Sequence, residues 1–448
     1  MDVSKKSIVG RLAAVESKAV RIDQSRCAKV RNRNVECLAC ARACTSGCIA
    51  LSDAGELTVD ENRCVGCGTC ATVCPTCAIE SRNPSDAQLT AACLAAAREG
   101  RVTVMCSRAK EALAHLLEEG RFAEAVCLGR IDESLLCTLA ACGIQAIDLV
   151  HAECSACAQK TGFDTARLVA NTTETLLEAF GGRARIAVRR DVSTSCLARG
   201  VCAADAAAAL RAFSEKPCAC EPIRGDGHAC RDVSADSETA EASFDEDAKT
   251  SGRTAHEPFG AHDARERSDP IHAAESGRAG GKGDIAPHAA KGRGGTKAFP
   301  LPHVMADGTL PHFIPDRRER LVDALSSFDG PRCDSVSTRL WGCVVIDPAR
   351  CSSCRMCATF CPTGAIGKFD GEDAMGVLHT PADCVKCGSC RDICPEGAIT
   401  IRDDVRTGFI LNASTHRYVM KPRAVTIGDP HQILETMKGR IEGNVYER

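Results

Sequence analysis

Eight cysteines in the C-terminal part of the chain follow one spacing twice. Both runs read C-x2-C-x2-C-x3-C-P, over residues 351–362 and 384–395. Three thiolates on such a loop surround one face of an iron–sulfur cubane, and the fourth, which the proline turn carries away, ligates the other cluster of a pair. The expected ligand sets are Cys351, Cys354, Cys357 and Cys394 (site 3) and Cys384, Cys387, Cys390 and Cys361 (site 4). Structural zinc also uses paired cysteines, but two copies that both end in Cys-Pro favour 4Fe–4S clusters.

A related but less regular run lies near the start of the chain. Its second half, Cys64-Val65-Gly66-Cys67-Gly68-Thr69-Cys70 with Cys74-Pro75, has the regular spacing, whereas the cysteines at 37, 40, 44 and 48 do not. Alignment of residues 43–49 with residues 360–366 makes Cys44 the distal ligand. The first ligand must then come from upstream, where Cys27 is the candidate. The expected sets are Cys27, Cys37, Cys40 and Cys74 (site 1) and Cys64, Cys67, Cys70 and Cys44 (site 2).

Two further cysteines of this run fall where the C-terminal copy has small residues. Cys48 takes the place of Ala365, and Cys77 takes the place of Gly364. We interpret both as small buried hydrophobic residues, because free cysteine behaves as a small hydrophobe and is commonly buried. The alternative is that one of them replaces a ligand.

Residues 86–212 alternate between short apolar runs and helical patterns. Strands are predicted at 102–105, 123–128, 146–151 and 185–188, and helices at 109–119, 133–142, 165–180 and 197–213. Repeated strand–helix alternation predicts a parallel sheet with helices on its faces. In such a sheet the carboxyl ends of the strands meet at one edge, where ligands bind.

Four cysteines of this region follow the ends of three predicted strands. They are Cys106, Cys127, Cys154 and Cys157. We expect them to converge on one site (the central site), and their number and type suit a 2Fe–2S cluster or zinc. One alternative is a redox-active dithiol at Cys154 and Cys157, because the C-x-x-C spacing lowers a thiol pKa. The other is a set of unlinked thiols buried in the core.

The amino-acid composition and the first residues of the chain bear on the compartment in which the protein functions. The chain has 448 residues, 32 cysteines and a net charge of -3. A disulfide-rich secreted protein would be short and would begin with a signal peptide, whereas the first residues here are charged and lack an apolar stretch. No apolar run reaches transmembrane length, and no basic surface for nucleic acid is indicated. We therefore expect a cytoplasmic protein that uses cysteine for metal binding and does not insert into a membrane.

Residues 27–80 and 343–401 resemble bacterial-type dicluster ferredoxin domains. The regular run from Cys64 to Pro75 and the two complete runs of the C-terminal copy carry this resemblance. It implies 4Fe–4S clusters and one-electron transfer.

Residues 100–190 look like the small iron–sulfur subunit family associated with hydrogenases and heterodisulfide reductase. The features are Cys106 after a strand, the run Cys127-Leu128-Gly129-Arg130, a leucine-rich helix ending at Gly143, and Cys154-x2-Cys157. The whole chain resembles multidomain 4Fe–4S proteins that pass electrons between redox partners.

We predict an α+β multidomain chain with two ferredoxin-like domains, each binding two 4Fe–4S clusters, and a central α/β domain with a four-stranded parallel sheet. The expected order is an N-terminal helix (1–24), a dicluster ferredoxin domain (25–85), the α/β domain (86–215), a disordered linker (216–300), a connecting helix (301–340), a second dicluster ferredoxin domain (341–403) and a tail with a helix (404–448). A polar linker of this kind would let the two ferredoxin domains move independently.

The expected function is electron transfer in anaerobic metabolism, with about four 4Fe–4S clusters on the chain. The partner would be an oxidoreductase, by analogy a molybdopterin oxidoreductase or a flavoprotein. We expect a non-catalytic subunit, because the sequence has no G-x-G-x-x-G, no P-loop and no Ser–His–Asp pattern. The alternative is a thiol–disulfide reductase that uses the cysteines of the central site. An oxygen-responsive regulator lacks support, since no DNA-binding motif is present.

Overall fold

A computed structural model describes residues 14–214 and 305–420 of the chain, apart from residues 18, 156, 158, 372 and 373. The expected linker at 216–300 and the helix expected in the C-terminal tail after residue 420 lie outside the described residues. Within the described ranges, no helix is both long and apolar enough to cross a lipid bilayer.

The N-terminal region consists of short strands and one-turn helices around its cysteines. Strands β1 (Ala14–Glu16), β2 (Val20–Asp23) and β5 (Ile79–Ser81) form an antiparallel sheet in the order β1-β2-β5, and β3 (Ile49–Leu51) pairs with β4 (Leu57–Val59). Helices α1 (Ala28–Arg31), α2 (Ala39–Ala43) and α3 (Thr69–Val73) each lie at an expected ligand. The Gln24 side chain joins the two halves, because it donates to the carbonyl of Leu57 and accepts from its N–H.

The helix expected over residues 1–24 is wrong for residues 14–23, which form the β1–β2 hairpin. Residues 1–13 lie outside the described part of the chain. Val20 and Ile22 are buried, whereas Arg21 between them is exposed. This alternation has the period of a half-buried strand, and burial of both side chains on β2 favours the hairpin over a helix.

The central region contains the predicted four-stranded parallel sheet, which is thereby confirmed. Its strands are β6 (Arg101–Cys106), β7 (Ala123–Ala125), β8 (Ala146–Val150) and β9 (Arg185–Arg189), in the order β7-β6-β8-β9. The helices of this region are α4 (Asp86–Ala96), α5 (Ser107–Leu113), α6 (Glu133–Ala141), α7 (Thr161–Phe180) and α8 (Ala203–Ser214). Strand β7 ends earlier than predicted, so Cys127 lies just beyond the strand, at the start of a 3-10 turn over Leu128–Arg130.

Local signals in the sequence set the ends of these helices. Ser85 and Gln88 form a reciprocal capping box at the start of α4, which satisfies two backbone donors that a helix start leaves free. Asp132 caps α6 by accepting from the N–H of Leu135. Helix α7 ends at Gly181, which has a φ of +85°, a left-handed conformation that glycine adopts at little cost.

The C-terminal region contains three small antiparallel sheets. Strand β10 (Ser335–Ser337) pairs with β15 (Asp404–Arg406), β11 (Cys343–Ile346) pairs with β14 (Ile399–Arg402), and β12 (Ile366–Asp370), β13 (Met375–His379) and β16 (His416–Met420) form the third sheet in that order. The helices are α9 (Asp316–Ser326), α10 (Met356–Thr359), α11 (Ser389–Asp392) and α12 (Thr407–Asn412).

Helix α9 anchors the C-terminal region to the central one. Its Leu321 and Leu325 are buried in the same apolar core as Leu136 and Phe180 of the central helices. Trp341, which follows α9 and is 1% exposed, also belongs to this core and donates its indole N–H to the carbonyl of Ala382. The expectation that the two cysteine-rich regions move independently is wrong, because both belong to one compact unit and Ala28 and Val35 of the first pack against Ile393 of the second.

Candidate iron–sulfur centres

Site 4 is a buried ring of thiols. Its four expected ligands line one pocket, and Val344, Ile366 and Ile401 cover the remaining walls. Burial raises the pKa of Cys390 well above its ordinary value, and the charges of Cys387, Cys384 and Cys361 raise it further. The shared pocket and these mutual effects place the four thiols of the set close to one another.

Site 3 has the same arrangement but lies nearer the surface. Its four expected ligands line a pocket with Ile346, Ile399 and Met420. Burial raises the pKa of Cys357 to about 12, and the charges of the other three thiols of the set add to this effect. Cys354 is exposed, and the side chain of Met356 beside it is 37% exposed. One side of site 3 is therefore accessible from solvent.

Three of the four ligand loops share an unusual backbone. In each loop the residues before and after the second cysteine have positive φ angles; they are Gly66 and Gly68 at site 2, Ser353 and Arg355 at site 3, and Lys386 and Gly388 at site 4. Left-handed residues at these positions turn successive N–H groups to one side, which forms a concave anion-binding backbone. A non-glycine residue in this conformation costs about 1–2 kcal/mol, and three of the six residues bear that cost.

Site 1 lacks this loop, because helix α1 separates its first two ligands. Leu38, which follows Cys37, has a φ of -137°. The structure nevertheless brings Cys27 to the other three thiols. Burial raises the pKa of Cys40 to about 12, and the charges of Cys74, Cys27 and Cys37 raise it further. Backbone N–H groups at the start of α1 donate to the Cys27 sulfur and so take over part of the role of the missing loop.

Site 2 contains five thiols rather than four. Cys48 is buried, as expected for a core residue, but its sulfur lies 3.4 Å from that of Cys44. Cys48 also hydrogen-bonds to Cys64, and this bond lowers the pKa of Cys64 to about 7. The interpretation of Cys48 as a packing residue is therefore incomplete, because its sulfur is part of the site-2 ring.

Cys77 holds a position that the other three copies of the motif give to glycine. Its φ is +47°, whereas Gly47, Gly364 and Gly397 have φ values of +60°, +73° and +55°. The Cys77 sulfur accepts a hydrogen bond of 3.2 Å from Nε of Arg317, whose Nη2 also donates to the carbonyl of Ala71. The strained backbone thus places a sulfur against a buried guanidinium beside site 1.

The central site forms at the carboxyl-terminal edge of the parallel sheet. Its four expected cysteines line one pocket with His151 and Phe163. Burial raises the pKa of Cys127 to about 12, and the charges of Cys67, Cys106 and Cys154 raise it further. The pKa of Cys154 is also raised to about 12, again mainly by burial. The convergence of three strand ends on these thiols agrees with the topological expectation for parallel sheets.

A site for a single metal ion is not supported. In the parts of the chain that the structure describes, no group of three or more His, Cys, Asp or Glu side chains is arranged to hold one ion.

Comparison with known protein families identifies two parts of the chain. Residues 350–399 match the family model for the 4Fe-4S dicluster domain, and residues 57–80 match the model for the 4Fe-4S binding domain. The chain carries two 4Fe–4S ferredoxin-type domains. No curated protein and no solved structure matches it. The resemblance of residues 100–190 to the hydrogenase-associated subunit family is consequently supported by no relative.

The five cysteine groups lie in a definite order. In four pairs of thiols from neighbouring groups, the charge of one thiol raises the pKa of the other. The charge of Cys67 acts on Cys127, that of Cys40 on Cys70, that of Cys37 on Cys387, and that of Cys357 on Cys390. These pairs give the sequence central site, site 2, site 1, site 4, site 3. The contact between the central site and site 2 is close, because Gly129 and Gly162 leave no room for a Cβ beside Thr69 and Cys127.

Sequence reasoning missed the arginines of these sites. Arg317 reaches Cys77 over a separation of 240 residues, and Arg31 is near enough to Cys361 and Cys387 of site 4 for them to affect its pKa. The spacing rules that identify cysteine ligands carry no information about such long-range neighbours. Of these contacts, only that of Cys77 had a signal in the sequence. The other copies of the motif have glycine at its position, and a cysteine there implies a specific contact.

Proposed function

We propose that the chain is an electron-transfer protein that holds 4Fe–4S clusters at sites 1 to 4 and relays electrons between redox partners. The observation that carries the proposal is the closeness of successive cysteine groups, which at the domain boundary places Cys37 of site 1 and Cys387 of site 4 against the same apolar residues. Each group has a thiol that acts electrostatically on a thiol of the next, so bound clusters would be close neighbours. A row of neighbouring one-electron centres is suited to conduction rather than to catalysis at a single site.

The chain's own residues fit 4Fe–4S clusters in three respects. Each of sites 1 to 4 gathers at least four thiols, and burial keeps several of these thiols protonated in the absence of iron, with pKa values of about 11 for Cys27 and Cys384. Iron binding would release those protons. Apolar side chains line sites 3 and 4, and the loops of sites 2, 3 and 4 have the left-handed residues of an anion-binding backbone. When bound, the clusters supply reversible one-electron storage.

The two ends of the row differ in access. Site 3 has an exposed ligand, Cys354, with the partly exposed Met356 next to it, and Met side chains adapt to varied protein surfaces. We propose that a redox partner docks at this end, with molybdopterin oxidoreductases and flavoproteins as candidate classes. At the other end the central site, for which we propose a 2Fe–2S cluster, lies in a pocket that Phe163 and His151 also line.

The alternative, a thiol–disulfide reductase at the central site, has less support. A nucleophilic cysteine needs a depressed pKa, because the thiolate is the reactive form. The pKa of Cys154 is instead raised to about 12 by burial and by the charges of Cys106 and Cys157. A thiol with that pKa is almost entirely protonated near neutral pH.

A comparison of two activities tests the proposal. The full chain, loaded with iron and sulfide under argon and reduced with dithionite, should be reoxidised by a one-electron acceptor with full recovery of its cluster absorption. It should not reduce small disulfides catalytically. Disulfide turnover that Cys154→Ser abolishes, while the 4Fe–4S spectra persist, would favour the reductase and contradict a purely conducting role.

A further inference from the structure

The two ferredoxin-type domains meet at a small apolar contact. Ala28 and Val35 of the first domain pack against Ile393 of the second, with Cys37 of site 1 and Cys387 of site 4 on either side. The backbone N–H of Glu36 donates to Oδ2 of Asp392 across the same boundary, at 3.0 Å. Sites 1 and 4 are therefore neighbours across an interface that both domains build.

Arg31, the last residue of α1, crosses this boundary. Its Nη1 donates to the carbonyls of Ser25 and Pro311, at 3.1 and 2.6 Å. Its Nε and Nη2 are buried and have no hydrogen-bond partner in the part of the chain that the structure describes. A buried donor without an acceptor costs about 1–3 kcal/mol, and more for a charged group. An arrangement this costly calls for an acceptor that the protein alone does not provide.

The neighbours of the guanidinium indicate where that acceptor belongs. As thiolates, Cys361 and Cys387 act electrostatically on Arg31, and both are expected ligands of site 4. Both ligands come from the second domain, whereas Arg31 comes from the first. Arg31 therefore faces site 4 from outside the domain that supplies its ligands.

We infer that Arg31 is a positioning residue of site 4, where its free Nε–H and Nη2–H groups donate to sulfur atoms of the bound cluster. The inference rests on the proposed function, since it requires a cluster at site 4. Reduction adds one electron to a cluster that is already negative, so a nearby cation and N–H···S hydrogen bonds favour the reduced form. The first domain thereby raises the reduction potential of a cluster in the second.

This role has a consequence for the direction of electron flow. Site 4 lies between site 1 and site 3 in the row of cysteine groups, and Arg31 lies at the junction between the domains. A raised potential at site 4 draws electrons across the junction from site 1. The coupling exists only while the two domains are in contact, because α1 carries the charge.

A second buried guanidinium near site 4 has a different role. Arg318 also has one buried nitrogen, Nη1, without a hydrogen-bond partner among the described residues. However, its Nη2 donates to the carbonyls of Leu340 and Cys384, and its guanidinium lies 4.4 Å from the centre of the Trp341 ring. Arg318 therefore holds α9 to the backbone of the site, and its removal would disturb the fold.

The test compares Arg31→Met with Arg33→Met in the full chain. Arg33 is exposed and lies two residues away, so the two variants lose the same charge from the same segment. Cluster potentials are measured by anaerobic redox titration with low-temperature EPR. Arg31→Met should lower the potential of one cluster, with the reduced form disfavoured roughly tenfold, about 59 mV for a one-electron couple. Arg33→Met should leave every potential unchanged.

Two further variants test the inference even if Arg31→Met fails to load iron, and show which cluster is affected. Arg31→Lys retains the charge but loses the guanidinium fork, and it should give an intermediate potential even if Arg31→Met fails to load iron. In a Cys387→Ala background, where site 4 cannot load normally, Arg31→Met should shift no remaining cluster. Unchanged potentials in both Arg31 variants, or a shift of a cluster other than that of site 4, would overturn the inference. A wild-type chain without reversible cluster signals would instead refute the proposed function.

Discussion

The fifth thiol at site 2 leads to a prediction about ligand replacement. Cys44 and Cys361 hold the same place in their motifs, as the ligand carried across to the neighbouring cluster. At site 2 the sulfur of Cys48 lies 3.4 Å from that of Cys44, whereas the corresponding residue after Cys361 is Ala365. Cys44→Ala should therefore be rescued by Cys48, and Cys361→Ala should have no such substitute.

The size of the effect follows from the cluster stoichiometry. Four cubanes contain about sixteen irons, and loss of one removes about four. We expect Cys44→Ala and Cys48→Ala each to retain the iron content of the wild type. Cys361→Ala, and the double variant that lacks both Cys44 and Cys48, should each lose up to about four irons per chain.

The assay is iron and acid-labile sulfide per chain after anaerobic reconstitution, with EPR to count the clusters that can be reduced. The sulfur contact makes the replacement local, since Cys48 already hydrogen-bonds to Cys64 of the same site. If Cys44→Ala loses as much iron as Cys361→Ala, Cys48 cannot act as a ligand and its position in the ring has no coordinating role.

Three other predictions concern the supporting structure. Cys77 has a φ of +47°, so Cys77→Gly should be more stable than Cys77→Ala by about 1 kcal/mol; equal thermal midpoints would show that the backbone is unstrained. Glu133 is buried and binds Arg339 through two bonds of 2.7 Å, so Arg339→Met should destabilise by about 3–5 kcal/mol, whereas Arg402→Met, at an exposed pair, should change stability by less than about 1 kcal/mol. Burial lowers the pKa of His379 from 6.5 to about 3, so the unfolded chain takes up a proton as pH falls below 6.5 while the folded chain stays neutral. The thermal midpoint of the wild type should fall between about pH 7.5 and pH 5.5, and a smaller fall in His379→Leu would support this cause, whereas an equal fall would exclude it.

The cysteine spacing predicted more than the positions of individual ligands. Alignment with the C-terminal copy assigned Cys27 to site 1, and the structure brings Cys27 to Cys37, Cys40 and Cys74. The alternation of strands and helices predicted the parallel sheet, because the period of apolar residues reflects which side chains face the core. Both patterns involve residues that are close together in the chain, so they can be recognised in one sequence alone.

Contacts between distant segments could not be predicted in this way. Helix α9 packs on α6 of the central domain, and Arg31 faces ligands more than 300 residues further along the chain. The long polar segment suggested independent domains, but Leu321, Leu325 and Trp341 are buried in the central core, and Ile393 packs against Ala28 and Val35 of the first ferredoxin-type domain. The N-terminal helix was predicted wrongly, since only the pairing partner at β5 reveals that Val20 and Ile22 lie on a strand.

The central claim is that the chain holds a row of four 4Fe–4S clusters. The most direct measurement is iron and acid-labile sulfide analysis of the anaerobically reconstituted full chain, combined with low-temperature EPR after dithionite reduction. We predict about sixteen irons in 4Fe–4S clusters per chain, and EPR signals broadened by spin coupling between neighbouring clusters. Fewer than about eight irons per chain, or narrow signals from isolated clusters, would contradict the four-cluster relay.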